Sequence, residues 1–189
     1  FKCAEKGECA IDDIVNDFVD RAQTADGFVF GSPVHYASAG GTITSFLDRT
    51  FFSARLSGRQ CFYLKPAACV VSARRAGTTA AFDQIIKYFT ISEMPVISSQ
   101  YWNMVHGTKP EEVKKDLEGL QIMRVLATKK GAIVGCLSRE AKSNPDMPGT
   151  VTIEFVITSA GTPSGFKVLE RQVREGALAT CLKGKIMVL

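Results

Sequence analysis

The sequence predicts an α/β fold with a parallel sheet for residues 1–129, followed by a shorter α+β segment at residues 130–189. Two observations support this prediction. Up to residue 128, short apolar runs typical of strands buried on both faces alternate with runs of helical spacing. After residue 130 the pattern changes, because residues 150–158 alternate apolar and polar side chains, as a strand with one covered face does. We therefore predict two units, with a boundary near Lys130.

Four helices and three strands are predicted before this boundary. The apolar strand at residues 27–31 is expected to end at Ser32 and Pro33, because proline cannot donate a ladder hydrogen bond and fixes its own φ. Open α/β sheets bind ligands at the carboxyl ends of their strands, so the turn that follows is the predicted ligand site. The other predicted elements are helices at residues 10–25, 41–54, 79–90 and 110–128, and strands at residues 66–72 and 94–99.

The segment after the boundary is predicted to contain an antiparallel hairpin. Its first strand covers residues 150–158, a loop rich in Ser, Thr, Gly and Pro follows, and residues 166–170 form the returning strand. Helices are predicted on either side of the hairpin, at residues 129–143 and 173–182. The hairpin is a candidate extension of the parallel sheet.

The composition limits the function classes. A net charge of +4 without a dense basic stripe argues against nucleic-acid binding, and no apolar stretch is long enough to cross a bilayer. Six cysteines scattered through 189 residues predict reduced thiols in a cytoplasmic protein. The chain begins at Phe1 with neither an initiator methionine nor an apolar leader, so we expect an upstream segment to be absent.

Six motifs follow one another in the first 128 residues: FKCAEKGECAIDD, ADGFVFGSPVHYAS, FLDR, ARRAG, FTISEMPVISSQYWN and DLEGLQIMR. In this order and spacing, they resemble the flavodoxin-fold NAD(P)H-dependent FMN reductases and NAD(P)H:quinone oxidoreductases. The resemblance implies a partial flavodoxin-like three-layer parallel sheet. It also implies FMN as cofactor, NAD(P)H as cosubstrate, and a small-molecule quinone or flavin as electron acceptor.

The resemblance also implies which residues bind the cofactor. Ser32, Pro33, Val34, His35 and Tyr36 would line the isoalloxazine ring, and Arg74, Arg75, Ala76 and Gly77 would form a later loop near its polar edge. A flavin ring is flat and apolar with a hydrogen-bonding rim, so it suits backbone amides beside proline or aromatic surface. From the residues alone, the arginine pair suits equally an anion or flavin carbonyl and a solvated loop. No general acid or base is assigned.

Other chemistry-bearing residues are given structural roles. Cys3 and Cys9 are too few for an iron–sulfur cluster, which takes four thiolates, although some members of the family carry a longer cysteine cluster in this region. His106 is interpreted as a loop histidine, and two histidines without carboxylates at ligand spacing argue against a metal site.

Tyr101 and Trp102 are interpreted as interface or core. Cys136 and Cys181 are core residues in a cytosolic protein, or a bridge in an exported one.

The sequence departs from the family pattern at its start. The family begins with a strand and a Ser- and Thr-rich loop that holds the FMN phosphate, and no such loop precedes Phe1. We therefore expect impaired FMN binding. The strand at residues 27–31 would also lack its neighbour in the flavodoxin order and would be an exposed edge.

The last sixty residues carry a second resemblance. The stretch GCLSREAKSNPDMPGTVTIEFVITSAGTPSGFKVLERQVREGALATCLKGKI is similar to the TonB carboxyl-terminal-like domain, which binds peptide or protein partners by strand pairing. This resemblance implies a hybrid chain. We expect residues 151–158, or their partner strand, to dock beside residues 27–31 as a replacement edge.

Three functions therefore remain open from the sequence. The first is a flavodoxin-like FMN-dependent NAD(P)H oxidoreductase that reduces a quinone or a flavin. The second is a non-enzymatic hybrid fold with no cofactor. The third is a module that binds a peptide or protein through the carboxyl-terminal hairpin, and a homo-oligomer is compatible with each of the three.

Overall fold

The structure is a computed structural model that describes residues 2–128, 152–157 and 183–188. Its helices are α1 (Lys2–Lys6), α2 (Ile14–Thr24), α3 (Gly41–Leu56), α4 (Thr78–Ile91), α5 (Pro110–Val113) and α6 (residues 117–128). Its strands are β1 (Gly27–His35), β2 (Ser38–Ala39), β3 (Ala67–Ala73), β4 (Met104–His106), β5 (Thr152–Ile157) and β6 (Lys183–Val188). The predicted helices at 129–143 and 173–182, the predicted strand at 166–170, Cys136, Cys181 and the boundary near Lys130 lie outside the described residues.

The described strands form one sheet in the order β4-β3-β1-β5-β6. All neighbours along this path are parallel, and the short strand β2 pairs with β1 in the antiparallel direction. The predicted α/β fold with a parallel sheet is therefore confirmed. The helices predicted at 41–54 and 79–90 correspond to α3 and α4.

A cluster of phenylalanines fills the space between the sheet and the helices α2 and α3. Phe18 of α2 is fully buried, and its ring meets those of Phe28, Phe30 and Phe46 edge-on, with centroids 5.2–6.3 Å apart. Edge-to-face rings add attraction beyond the burial of their apolar area. The same side of α2 also buries Val15, because residues three apart share one face of a helix. This core fixes α2 and α3 against β1.

Strand β1 is longer than the sequence predicted. It continues through Ser32 and Pro33 to His35, and Pro33 lies opposite Ser72 of β3. The Phe28 N–H donates to the Pro66 carbonyl on the β3 side, and N–H groups alternate sides along a strand, so the nitrogen of Pro33 faces away from β3. Within the described residues, pairing with β5 ends at Gly31, so the missing N–H of Pro33 loses no ladder hydrogen bond there.

The strand predicted at residues 94–99 is reduced to a single bridge between Val96 and Ala67. The edge strand is instead β4, and the chain loops away from β3 between these two contacts. The buried side chain of Asn103 replaces the missing ladder. Its amide nitrogen donates to the Cys69 carbonyl at 3.0 Å, and its oxygen accepts the Ser99 N–H at 3.1 Å. A local pattern of strand residues cannot predict this interruption of the edge strand, because the interruption depends on the hydrogen bonds of one side-chain amide.

The helix predicted at residues 110–128 is divided into α5 and α6. Asp116 lies between them and its carboxylate accepts the N–H of Gly119 at 2.9 Å, as an N-cap residue does for the third residue of a helix. The cap begins a new helix, so the Glu-, Lys- and Leu-rich stretch is not continuous.

Strand β5 covers the edge of β1 that the sequence predicted to be open. Gly27 to Gly31 pair with Ile153 to Ile157, so the expected docking of this segment beside β1 is confirmed. This pairing is parallel, and so is the pairing of β5 with its other neighbour, β6. Both edges of β5 are thus occupied by parallel strands, and the predicted returning strand of the hairpin lies outside the described residues. The fully buried Val156 joins the core beside β1.

The strand order matches that of flavodoxin, in which the strands are arranged 2-1-3-4-5. If β1, β3 and β4 correspond to the third, fourth and fifth strands, then β5 and β6 occupy the places of the first and second. The sheet is therefore completed by residues from the other end of the chain. In the part of the chain that the structure describes, no helix has the length and hydropathy needed to cross a membrane.

Candidate functional site at the carboxyl edge of the sheet

The hairpin between β1 and β2 projects from the carboxyl edge of the sheet. Val34 pairs with Ala39 and His35 pairs with Ser38, so only two residues form the turn. These are Tyr36 and Ala37, with φ of 49° and 57°. Two consecutive positive φ values are typical of the type I′ turn that two-residue hairpins favour. A tyrosine is unusual in this conformation, and its side chain is fully exposed at the edge of the sheet.

The hairpin is anchored to α4 by one glutamine. The Gln84 carbonyl oxygen accepts hydrogen bonds from the Ser38 hydroxyl at 2.7 Å and from the Ala39 N–H at 3.0 Å. Both bonds hold β2, which has no second strand beside it in the described sheet. The position of the turn is therefore set by a helix as well as by strand pairing.

Ser32 supports the hairpin from inside the protein. Its hydroxyl donates to the Pro33 carbonyl at 2.8 Å and accepts the N–H of Gly40 at 2.9 Å, and the residue is 3% exposed. Gly40 is the residue before α3, so Ser32 ties the end of β1 to the beginning of that helix. Of the five residues predicted to line the isoalloxazine ring, Ser32 and Pro33 are buried, whereas His35 and Tyr36 are exposed.

The loop at residues 74–77 touches the hairpin. Gly77 has a φ of 91°, and a Cβ at this position would lie 2.6 Å from the Cα of Ala37 and 3.0 Å from a methyl group of Val34. Only glycine allows both the conformation and the approach. The structure therefore brings together the two stretches that the sequence assigned to one site, with Arg74, Arg75 and Ala76 exposed beside the contact.

The charge at this edge is positive. Helix α4 begins directly after Gly77, has no side-chain cap and carries no acidic residue in its first turn. The N-terminus of a helix bears a partial positive charge, and Arg74 and Arg75 precede the first residue of α4 by four and three positions. The edge therefore favours a ligand with electron-rich oxygens.

Comparisons with known proteins identify the family of the chain. The family model described as NADPH-dependent FMN reductase matches residues 1–109. The chain belongs to this family. An iron-sulfur flavoprotein of Methanocaldococcus jannaschii is 27% identical over 142 residues, covering 72% of this chain and 73% of that protein. The comparisons give no support to the TonB-like resemblance of the last sixty residues, or to a hybrid or truncated chain.

Family membership makes the chain a flavodoxin-like FMN-dependent oxidoreductase. In this FMN reductase family member, one residue at the carboxyl edge was not predicted to belong to a site. His106 ends β4, lies opposite Ala73 of β3, and is followed by Gly107, whose N–H donates to the Ala73 carbonyl at 2.9 Å. The edge strand predicted at residues 94–99 left His106 in a loop beyond it. In the structure the edge strand is β4, so His106 lies at the end of a strand.

Four cysteines lie in the part of the chain that the structure describes. Cys3, Cys9, Cys61 and Cys69 are free thiols, and no group of three or more His, Cys, Asp or Glu residues in the described ranges could hold a metal ion. Burial raises the pKa of the Cys61 and Cys69 thiols, so both are protonated and unreactive at neutral pH.

Cys9 lies in a polar cluster at the beginning of α2. The Arg49 guanidinium is 3.4 Å from its sulfur and binds both carboxylate oxygens of Asp13 at 2.7 Å. This hydrogen-bonded guanidinium lowers the pKa of Asp13, which also caps α2 by accepting the Val15 N–H. Asn16 fixes the same segment through the backbone of Cys9. The cluster thus holds α2 to α3.

A separate groove of about 990 Å³ lies between the second half of α3 and the end of α4. Phe52, Tyr63 and Ile91 line it and are exposed. The connection from α3 to β3 forms one wall and enters β3 at its amino end, so this groove is at the opposite end of the strands from the loop contact. The groove is therefore not at the end of the strands where flavodoxin-like sheets bind their ligands.

Proposed function

We propose that this protein binds FMN at the carboxyl edge of its sheet and uses it to pass electrons from NAD(P)H to a quinone or a flavin. The observation that carries the proposal is the contact between Gly77 and the turn at Ala37, which gathers both predicted ring-binding stretches into one place. Membership of the NADPH-dependent FMN reductase family supports the choice of cofactor and reductant.

The residues at this edge fit an isoalloxazine ring. Val34 and the exposed Tyr36 offer apolar and aromatic surface for the face of the ring. Arg74 and Arg75 offer guanidinium donors for the carbonyl oxygens at its rim, and the uncapped beginning of α4 adds backbone N–H groups. When bound, FMN accepts and donates hydride, which no side chain of the protein can do. The protein's part is to orient the ring and to tune its electronics.

The expected impairment of FMN binding stays a prediction. Strand β5 takes the place of the first flavodoxin strand, and the residues that follow it lie outside the described part of the chain.

A titration with two glycine variants tests the proposal. Gly77→Ala adds a methyl group that pushes the loop away from Ala37, and we expect it to weaken FMN binding at least about tenfold, or 1.4 kcal/mol. Gly58→Ala is the matched control, because Gly58 also has a positive φ of 74° but has no atom within 4 Å of the added Cβ. Quenching of flavin fluorescence measures both affinities.

Both variants place alanine at a positive φ, which costs about 1–2 kcal/mol, so comparing them removes most of the backbone effect and leaves the loop contact. Equal FMN affinity in the two variants would contradict the proposed site. Absence of binding by the native chain at high micromolar FMN would contradict the proposed function itself and favour the non-enzymatic alternative.

Binding of a protein partner through β5, the first strand of the predicted hairpin, is not favoured by a specific observation. A partner that adds a strand needs a free sheet edge. Strand β5 is paired on both sides, by β1 and by β6.

A further inference from the structure

The end of β4 is fixed next to the proposed flavin loop. His106 lies opposite Ala73 in the register, and the Gly107 N–H donates to the Ala73 carbonyl at 2.9 Å. The loop at residues 74–77 begins at the next residue of β3. The side chain of His106 is 41% exposed, so its ring is accessible at the margin of the site proposed above.

A fixed carboxylate faces one nitrogen of this ring. Asp116 accepts the backbone N–H of His106 at 2.7 Å and that of Gly119 at 2.9 Å, so two backbone donors hold its two oxygens. One of these oxygens is 3.8 Å from Nδ1 of His106. A carboxylate on the Nδ1 side orients an imidazole and favours the proton on that nitrogen, which leaves Nε2 as the nitrogen for a ligand.

The proposed reaction needs a proton donor at this edge. Reduction of a quinone to a hydroquinone takes two electrons and two protons, and a hydride delivers both electrons but only one proton. A guanidinium does not give up its proton in proteins, so the second proton needs another kind of side chain. Histidine is the side chain that most often performs such a transfer near neutral pH.

We propose that His106, oriented by Asp116, donates a proton to the oxygen of a quinone as the quinone is reduced. The inference rests on the proposed function. The quinone receives a hydride that originates from NAD(P)H, the N–H bond at Nε2 of the imidazolium breaks, and an O–H bond forms on the quinone. The neutral imidazole then takes a proton from water. His106 is thus a catalytic residue, and Asp116 is a positioning residue.

A pair of electron acceptors separates this role from a structural one. A benzoquinone needs two electrons and two protons, whereas ferricyanide takes one electron and no proton. In the holoenzyme, His106→Gln is expected to lower kcat for benzoquinone about ten- to hundredfold, and to change the ferricyanide rate by less than about twofold. The backbone N–H that binds Asp116 is retained in this variant. Glu111→Gln, which removes an exposed carboxylate from α5, is the matched control and should change neither rate.

A second measurement does not depend on activity. In the cofactor-free protein, ¹⁵N NMR of the neutral His106 ring should report the proton on Nδ1, and Asp116→Asn should remove that preference. Equal slowing of both acceptors in His106→Gln, unchanged benzoquinone reduction, or an Nε2–H tautomer in the native chain would overturn the inference. A native holoenzyme that reduces neither acceptor would instead overturn the proposed function on which the inference rests.

Discussion

Asn103 illustrates how one side chain determines the local backbone. It is fully buried, and its amide bonds the Cys69 carbonyl and the Ser99 N–H where the chain leaves the edge of the sheet. Buried backbone groups without partners are costly, so an interrupted edge strand needs a substitute for its ladder. The asparagine supplies one donor and one acceptor at the required places, and the chain returns to β3 only at Met104.

Replacing Asn103 tests how much these two hydrogen bonds contribute to the stability of the fold. Asn103→Ala leaves one buried acceptor and one buried donor unsatisfied, and we expect the free energy of unfolding to fall by about 2–4 kcal/mol. Urea denaturation followed by circular dichroism measures the change. Gln100→Ala, at an exposed position in the same loop, should change the stability by less than about 0.5 kcal/mol. A loss below 1 kcal/mol in Asn103→Ala would show that the ladder substitute is unimportant.

Among the elements, β5 has the largest effect on the arrangement of the others. It converts β1 from an edge strand into a central one, because it occupies the side of β1 opposite β3. Val156 lies opposite Phe30 and is fully buried in the same core as the phenylalanine cluster. A strand that is paired on both sides and contributes to the core belongs to the same cooperative unit as its neighbours.

A charge at Val156 tests whether β5 and residues 2–128 unfold together. Val156→Asp buries an unpaired carboxylate, so we expect a loss of about 3 kcal/mol or more in the free energy of unfolding. Trp102 is the only tryptophan and lies in the loop before β4, at the other side of the sheet, so its fluorescence reports the fold as a whole.

The control for this substitution is Leu117→Asp, which introduces the same charge at a leucine that is 72% exposed. It should leave the urea midpoint close to that of the native chain. An unchanged midpoint in Val156→Asp, measured by Trp102 fluorescence, would mean that β5 unfolds independently of the other strands.

At the scale of the whole molecule, the sheet has the flavodoxin arrangement with an altered chain order. Strands β5 and β6 take the places of the first two flavodoxin strands. Strand β1 is therefore a central strand with a neighbour on each side, rather than an edge strand. The hairpin after β1 and the loop after β3 then meet at Gly77 on a fixed base. This arrangement brings two distant stretches of sequence together at the proposed flavin site.

Local patterns predicted much of this arrangement. Apolar periodicity and turn residues identified β1, α3, β3 and α4, because these elements bury a continuous face or stripe. The continuation of β1 through Pro33, the place of β4 and the parallel pairing of β5 were not predicted. Each depends on which strand lies beside which, and such long-range pairing leaves little trace in a local pattern. The partnership of His106 with Asp116 was missed for the same reason.

Hydrogen exchange with and without FMN tests the central claim most directly, because it locates the ligand on the native chain. We expect FMN to slow amide exchange in two stretches, residues 34–39 and 74–80, where the hairpin, the loop and the beginning of α4 meet. Exchange in the groove at residues 58–63 and 91–93, at the opposite end of the strands, should be unchanged. Protection confined to the groove, or no protection at saturating FMN, would contradict a flavin site at the carboxyl edge.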